Sequence, residues 1–389
     1  MKLRLLSRSL GALLLLGAAS LVRAEKSDAV ATPPVPNFSP GPEYADNVRM
    51  FQGIPGIERA ANGRLWACWY GGGTGEDRFN YIMLVTSNDD GKTWSSLKLV
   101  LDPDRDGSVR AFDPCLWHDP SGKLWLFWAQ RAEKMMPQLF AMSTEDSGSA
   151  DPKWSPPARI ADGIMMNKPT VAADGAWLLP TALWNREGSS RVVRSADHGA
   201  TWEFIGSATI PEAKDRNCDE NMIVQRKDGS LWMLVRTRYG IGESTSTDGG
   251  KTWSECKPSS IPHVVSRFFI RRLASGKLLL VRHNPPEMKG RSHLTAYLSN
   301  DEGATWTGGL LLDERLGVSY PDGIQDQDGV IRIIYDFERN KSKQILMAAF
   351  TESDVAAGQP SGSTRLRVPI NQATGVAPAK AAKPAGSVP

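Results

Sequence analysis

The residues that could do chemistry stand in three charged stretches of this 389-residue chain, which hold Glu220, Arg236, Arg291 and Tyr320. An Arg guanidinium is planar and makes paired, charge-assisted hydrogen bonds with a carboxylate, so these Arg side chains suit an acidic ligand. A Glu within hydrogen-bond reach of a Tyr hydroxyl can take its proton. Side chains of these types can bind a ligand and transfer a proton, provided that the fold brings these distant residues together.

A repeated phrase of eight residues indicates how the chain is organised. It reads Ser-x-Asp-x-Gly-x-Thr-Trp and starts at 87, 195, 246 and 299, with a worn copy from 143. The five starts are 56, 52, 51 and 53 residues apart, and such a fixed period is typical of repeat architectures. The Asp can accept backbone N–H groups of its own turn, and the Gly permits a positive φ. We therefore expect a structural role for the four Asp residues, Asp89, Asp197, Asp248 and Asp301.

A second repeat lies upstream of the first and predicts the fold. It is a turn ending in Gly, followed by an apolar strand rich in aromatic residues, and six copies begin at Gly63, Gly122, Gly175, Gly229, Gly276 and Gly329. A short strand precedes most copies, a third strand runs into the repeated phrase, and a fourth follows its Trp. Four strands in each of six units, without an amphipathic helix, predict an all-β protein: a six-bladed β-propeller of four-stranded antiparallel blades.

The ends of the chain differ in composition from its middle. Residues 1–24 combine a basic start, a short apolar run and a final small residue, which predicts a cleaved signal peptide and a periplasmic or secreted protein. The remainder divides into a Pro-rich segment, the propeller and an Ala/Pro-rich tail that we expect to be disordered, at 25–46, 47–369 and 370–389. Either 363–370 or 47–52 could supply the strand that closes the ring.

Charge and composition limit the partners. The net charge of +3 includes four basic residues of the leader, and without them 42 basic residues face 43 acidic ones. This balance gives no indication of nucleic acid as a partner. No later segment has the roughly 20 apolar residues of a membrane helix, and no His pair has zinc-site spacing. We expect a monomer without metal or organic cofactor, and free thiols at the four Cys.

With these features the chain resembles the bacterial sialidase (neuraminidase) superfamily, whose propellers carry the same Asp-box phrase. The resemblance covers residues 47–355. It implies release of terminal sialic acids by a Tyr nucleophile that a Glu assists, an Asp acid/base and three Arg that hold the substrate carboxylate. By their positions in the family's motifs, Tyr320 and Glu220 correspond to the nucleophile and its base, and Arg236 and Arg291 to the second and third Arg.

One Arg of the family pattern is missing from this chain, and the family's acid/base has two candidates. The first Arg normally stands in a Phe-Arg-Ile-Pro phrase, but here Gly53 precedes Ile-Pro. The acid/base should lie some ten residues before the first repeated phrase, where Glu76 and Asp77 are the candidates and Asp77 is preferred. Lys168 or Arg267 could replace the missing cation.

The resulting hypothesis is an exported exo-glycosidase that releases a terminal acidic sugar from a glycan and retains configuration through a covalent Tyr320 adduct. A neutral Tyr suits an anomeric carbon that bears a carboxylate, which would repel a carboxylate nucleophile. One alternative is a carbohydrate-binding propeller without hydrolysis. Another is a glycosidase of the same fold that acts on a neutral sugar with two carboxylates, such as Glu220 and the ring-facing Asp113.

Overall fold

The computed structural model describes residues 32–105 and 107–376, and in this part of the chain 24 strands form six four-stranded antiparallel sheets. Each sheet consists of four consecutive strands, which confirms the predicted six-bladed β-propeller. The predicted signal peptide lies outside the described residues, as does most of the predicted tail. Among the described helices, none is long and apolar enough to cross a membrane.

The first strands of neighbouring blades contact one another around the axis. They are β1 (Phe51–Arg59), β5 (Val109–His118), β9 (Thr170–Val171), β13 (Arg216–Gln225), β17 (Phe269–Arg272) and β21 (Val318–Gln325). The second strands are β2 (Leu65–Gly72), β6 (Leu124–Ala132), β10 (Trp177–Ala182), β14 (Leu231–Thr237), β18 (Leu278–His283) and β22 (Ile331–Phe337). They coincide with the apolar, aromatic strands that the second repeat predicted.

The two remaining strands of each blade lie on either side of the repeated phrase. The third strands are β3 (Asn80–Ser87), β7 (Gln138–Thr144), β11 (Ser190–Ser195), β15 (Gly240–Ser246), β19 (Leu294–Ser299) and β23 (Gln344–Phe350). The outer strands are β4 (Leu99–Leu101), β8 (Ala158–Asp162), β12 (Glu203–Ala208), β16 (Lys257–Pro258), β20 (Thr307–Asp313) and β24 (Arg365–Gln372). Helical segments are short: α1 (Glu352–Ala357) and 3₁₀ turns at Pro42–Tyr44, Ala213–Asp215 and Pro286–Met288.

The repeated phrase has the structural role that the sequence predicted. In the first copy, the Asp89 carboxylate accepts the backbone N–H of Lys92 and of Thr93 and the Thr93 hydroxyl, at 3.1, 2.9 and 2.6 Å. These bonds, above all the one from the Thr93 hydroxyl, lower the pKa of Asp89. The other three copies repeat the bonds to the Thr backbone and hydroxyl. In blade 6, α1 takes the place of the phrase and begins with a capping box.

The hydrophobic core lies between the faces of adjacent blades. One buried cluster joins Leu178 and Val192 of blade 3 to Leu231 and Met233 of blade 4. The Gly of the repeated phrase tightens such contacts: a Cβ added at Gly303 of blade 5 would lie 2.5 Å from the ring of Trp232 in blade 4. Where it occurs, the phrase thus packs its blade against the preceding one.

The ring closes between blade 6 and blade 1. β24 completes blade 6 as its outer strand and ends at Gln372, beyond the predicted boundary at 369, while β1 begins blade 1. Two carboxylates of blade 6 accept backbone N–H groups of β1: Asp336 binds Ile54 at 2.9 Å and Asp322 binds Ile57 at 3.0 Å. Closure therefore uses side chains as well as packed sheets.

The packing of the repeated phrase can be tested by substituting its Gly. Gly303→Ala places a Cβ against Trp232 at a φ of 89°, whereas Gly229→Ala has a similar φ of 87° and open space around the Cβ. We expect Gly229→Ala to lower the free energy of unfolding by about 1 kcal/mol through backbone strain alone. Gly303→Ala should lose about 1–3 kcal/mol more through overpacking. Equal losses in urea denaturation would contradict the proposed contact between blades.

Candidate active site

Breaks in the first strands re-aim side chains toward one region near the axis, which we call the funnel. The register of β1, β5, β13 and β21 shifts in the middle of each strand. Within these bulges the residues Ile54, Asp113, Asp219 and Tyr320 take φ values of 51–55°. A bulge bends its strand and re-aims a side chain, and the positive φ of a residue other than Gly stores strain. Tyr320 is oriented in this way toward blade 4.

Tyr320, Glu220 and Arg236 meet in a closed triangle of hydrogen bonds. The Tyr320 hydroxyl donates to Glu220 Oε1 at 2.8 Å. Arg236 Nη1 donates to the same oxygen at 2.8 Å and to the Tyr320 hydroxyl at 2.7 Å. All three side chains are buried. The structure thus brings together residues from β21, β13 and β14, as the sequence analysis required.

The triangle fixes the protonation of the phenol and leaves one acceptor open. Burial and the nearby Glu220 carboxylate raise the pKa of Tyr320, against the effect of three Arg. The hydroxyl therefore stays protonated and donates a hydrogen bond to Glu220. Glu220 Oε2 is buried and has no hydrogen-bond partner within the described chain. Since buried polar atoms normally have partners, this oxygen is a candidate acceptor for a bound water or ligand hydroxyl.

Two further guanidinium groups lie beside the phenol ring. The guanidinium carbon of Arg291 is 5.5 Å from the ring centroid of Tyr320, and that of Arg339 is 4.2 Å from it. The sequence analysis included Arg291 but missed Arg339. A signal was present, because Arg339 follows the second strand of blade 6 just as Arg236 ends that of blade 4. We call Tyr320, Glu220, Arg236, Arg291 and Arg339 the Tyr320 cluster.

Asp113 of blade 2 lies near enough to Glu76 and Glu220 for their charges to affect its pKa. Burial raises the pKa of this carboxyl to about 8; the Arg110 guanidinium opposes the shift, and the charges of Glu76 and Glu220 add to it. Asp113 is only 4% exposed. A carboxyl with this pKa is protonated at neutral pH and can donate a proton.

The two acidic candidates of the loop after β2 have different surroundings. Asp77 accepts the backbone N–H of Thr74 at 2.9 Å and of Phe79 at 3.0 Å, so its carboxylate holds its own turn. Glu76 instead reaches Arg339, with 2.8 Å between Oε1 and Nη1. Of the two, Glu76 is the carboxylate that contacts the Tyr320 cluster.

Lys168 and Arg267, the predicted substitutes for the missing cation, bind the protein along the axis. The Lys168 ammonium donates to the backbone carbonyls of Ile57 and Leu116 and to Glu58, at 2.8, 2.6 and 2.7 Å. Arg267 binds Asn167 and the carbonyl of Met166, both at 2.6 Å. Neither residue has a hydrogen bond or ion pair with Tyr320 or Glu220. They connect the blades beside the site.

Within the described part of the chain, no group of three or more His, Cys, Asp or Glu side chains is arranged to hold a metal ion. All four Cys are free thiols.

Comparison with known proteins places the propeller among relatives of one type. The model of the BNR repeat-like domain family matches residues 62–333. A sialidase of Bacteroides fragilis (strain YCH46) is 25% identical over 317 residues, which are 69% of this chain and 56% of the relative. A sialidase of Micromonospora viridifaciens is 26% identical over 349 residues, or 75% and 52% of the two chains. The chain thus spans about half the length of these curated relatives.

Solved structures agree with this comparison at the level of the fold. The Hadza microbial sialidase Hz136 superimposes with a TM-score of 0.64 at 20% identity, covering 79% of this chain and 67% of that one. An intramolecular trans-sialidase from Ruminococcus gnavus gives a TM-score of 0.60 at 16% identity, covering 79% and 95%. At such identities the likeness extends to the architecture alone.

The raised pKa of Asp113 predicts a pH-dependent stability. Between its ordinary value of 3.8 and the folded value of about 8, the unfolded chain has released the proton that the folded protein keeps. The free energy of unfolding therefore falls as pH rises through this window, by at most about 1.4 kcal/mol per unit, and this contribution is constant above it. Asp113→Asn should remove the slope, as measured by urea denaturation from pH 4 to 9. A difference between wild type and variant that does not change with pH would contradict the buried, protonated carboxyl.

Proposed function

Because the chain belongs to the BNR repeat-like domain family, we propose that it is an exported exo-glycosidase of the sialidase type. Its substrate is a glycan with a terminal acidic sugar, sialic acid or a related ulosonic or uronic acid. The reaction retains the configuration of the anomeric carbon. The protein acts in the periplasm or outside the cell, in keeping with the signal sequence predicted at residues 1–24.

The hydrogen bond from Tyr320 to Glu220 carries this proposal. As the Tyr320 oxygen attacks the anomeric carbon, its proton passes to Glu220 Oε1, which already accepts it at 2.8 Å. The bond from the sugar to the leaving oxygen breaks, and a covalent Tyr320 adduct forms. Water then attacks the anomeric carbon and gives its proton to the acid residue that protonated the leaving oxygen in the first step, while the Tyr320 oxygen leaves and takes its proton back from Glu220. Arg236, at 2.7 Å, stabilises negative charge on the phenol oxygen.

The acidic group of the sugar has cations within reach in the Tyr320 cluster. Arg291 uses one donor for a long 3.3 Å bond to the carbonyl of Val265, so most of its guanidinium is available. The buried Nε of Arg236 has no partner among the described residues. In a site that excludes water, such guanidinium groups bind a carboxylate through charge-assisted hydrogen bonds.

Asp113 is the proposed proton donor to the leaving oxygen. Its pKa of about 8 keeps it protonated at neutral pH, and the charges of Glu76 and Glu220 contribute to that pKa, which supports a position near the reacting groups. Asp77, the residue preferred from the sequence, binds its own turn. We therefore assign the acid role to Asp113, with Glu76 as the alternative.

A carbohydrate-binding propeller without hydrolysis is the second candidate. It is favoured by the contacts of Asp77, because the residue at the family's acid/base position uses its carboxylate within the loop. This candidate predicts glycan binding by a protein that cleaves no glycoside.

Tyr320→Phe tests the nucleophile. The variant keeps the buried ring but lacks the oxygen that forms the adduct, so kcat/KM on a fluorogenic sialoside should fall by about 10³-fold or more. Tyr297→Phe, on the third strand of blade 5, should retain activity and serves as the matched control. Equal hydrolysis by wild type and Tyr320→Phe would refute the mechanism. Glycan binding without cleavage of any glycoside in a panel would establish the second candidate.

Asp113→Asn tests the acid. Loss of a proton donor should lower kcat/KM by about 10²–10⁴-fold for an alkyl glycoside, whose leaving oxygen needs the proton. The loss should be small for a 4-nitrophenyl glycoside, which leaves as a stable phenolate. Glu76→Gln, measured on the same pair of substrates, is the control. If Glu76→Gln shows the dependence on the leaving group and Asp113→Asn does not, the acid is Glu76.

A further inference from the structure

Gly53 is a glycine because of its neighbours rather than its backbone. Its φ lies outside the left-handed region, so a side chain would be tolerated by the local conformation. The space is already filled: a Cβ at this position would lie 2.7 and 2.8 Å from Cδ and Cγ of Arg339 and 2.9 Å from Asp336 Oδ2. The stem of Arg339 thus runs through the volume that a side chain at residue 53 would occupy.

Arg339 is held rigidly at this place. Its Nε donates to Asp336 Oδ2 at 2.9 Å, and one terminal nitrogen donates to the Ser319 hydroxyl at 3.0 Å. Asp336 is fully buried and also accepts the backbone N–H of Ile54 at 2.9 Å. The guanidinium carbon lies 4.2 Å from the ring centroid of Tyr320. The group is therefore preorganised beside the phenol, and most of the cost of ordering it is met by folding.

The other terminal nitrogen of Arg339 has an exchangeable partner. It donates to Glu76 Oε1 at 2.8 Å, and the Glu76 side chain is 49% exposed on the loop after β2. An ion pair with such an exposed partner contributes little net stability because water competes for both charges. A carboxylate that enters the funnel can therefore replace Glu76, whereas it cannot replace the buried Asp336.

We propose that Arg339 is a specificity-determining residue that binds the carboxylate of the acidic sugar together with Arg236 and Arg291, and that Gly53 provides the gap through which it reaches the site. The inference rests on the proposed function. In this arrangement the first strand of blade 1 lacks the cation, and Arg339 in the turn after β22 of blade 6 supplies it. The Glu76 carboxylate, bound to Arg339, occupies the place proposed for the substrate carboxylate.

Binding and turnover of matched ligands test this inference. In wild type, sialic acid should bind more tightly than its uncharged methyl ester in calorimetry. In Arg339→Ala, affinity for the acid should fall about 10- to 100-fold, the loss of one charge-assisted bond, while affinity for the ester stays within a few-fold. Arg339→Gln retains an N–H for Asp336, so it keeps the fold if Ala destabilises it, and should show the same loss. Arg365→Ala, which removes an Arg paired with Asp90 outside the site, should change neither affinity.

A transplanted guanidinium gives the decisive comparison. Gly53→Arg combined with Arg339→Ala returns the cation to β1 and should recover at least part of the preference for the acid over the ester. Gly53→Ala alone should displace Arg339 and lower that preference. Suppose that wild type prefers the acid to the ester. If both Arg339→Ala and Arg339→Gln show the same preference as wild type, the inference is wrong, although the proposed function stands. If wild type neither binds nor cleaves an acidic glycoside, the proposed function itself fails.

Discussion

Two buried carboxylates of the last blade hold the first strand of the first blade, and the site depends on this closure. Asp336 accepts the N–H of Ile54, and Asp322 accepts that of Ile57. Asp336 also binds Ser319, the neighbour of Tyr320, so one carboxylate connects the bulge of β1 to the bulge that aims the phenol. Because a buried carboxylate oxygen costs free energy when it lacks a hydrogen bond, loss of closure would destabilise both acids by removing the backbone N–H that each accepts from β1.

The funnel combines features that normally lower the stability of a protein. Tyr320 and Asp113 both adopt a positive φ inside a strand, and each stores strain of about 1–3 kcal/mol. Glu220 Oε2 is buried without a partner in the described structure, and three guanidinium groups surround one phenol. The rigid blades maintain this arrangement, since each first strand is fixed by its own sheet and by packed neighbours. Strain and unpaired charge are thereby concentrated where a charged ligand would relieve them.

The sequence predicts the blades well because their signals are local and repeated. The phrase around Asp89 and the turn at Gly63 are each short segments whose hydrogen bonds lie within a few residues, and the six copies of the turn define six blades. The meeting of Tyr320 with Glu220 was predictable only through the resemblance to a known superfamily. Lys168 and Arg267 show the limit of this reasoning. The position of a residue in a strand indicates which blade supplies the side chain, but not whether the side chain points to the Tyr320 cluster or binds other protein groups. Arg339 was not predicted because its position beside Tyr320 depends on the absence of a side chain at Gly53, which lies in another blade.

The departures from the family pattern lie in one corner of the funnel and are physically connected. Gly53 leaves space for Arg339, and Arg339 in turn pairs with Glu76 on the loop after β2. That loop can present Glu76 because the carboxylate of Asp77 folds back over Gly73, where any Cβ would overlap it. A side chain at Gly53 would expel Arg339, and without Arg339 the carboxylate of Glu76 would lose its partner. The altered positions therefore form one interdependent arrangement, in which Arg339 of blade 6 fills the space beside Gly53 of blade 1, next to the triangle of Tyr320, Glu220 and Arg236.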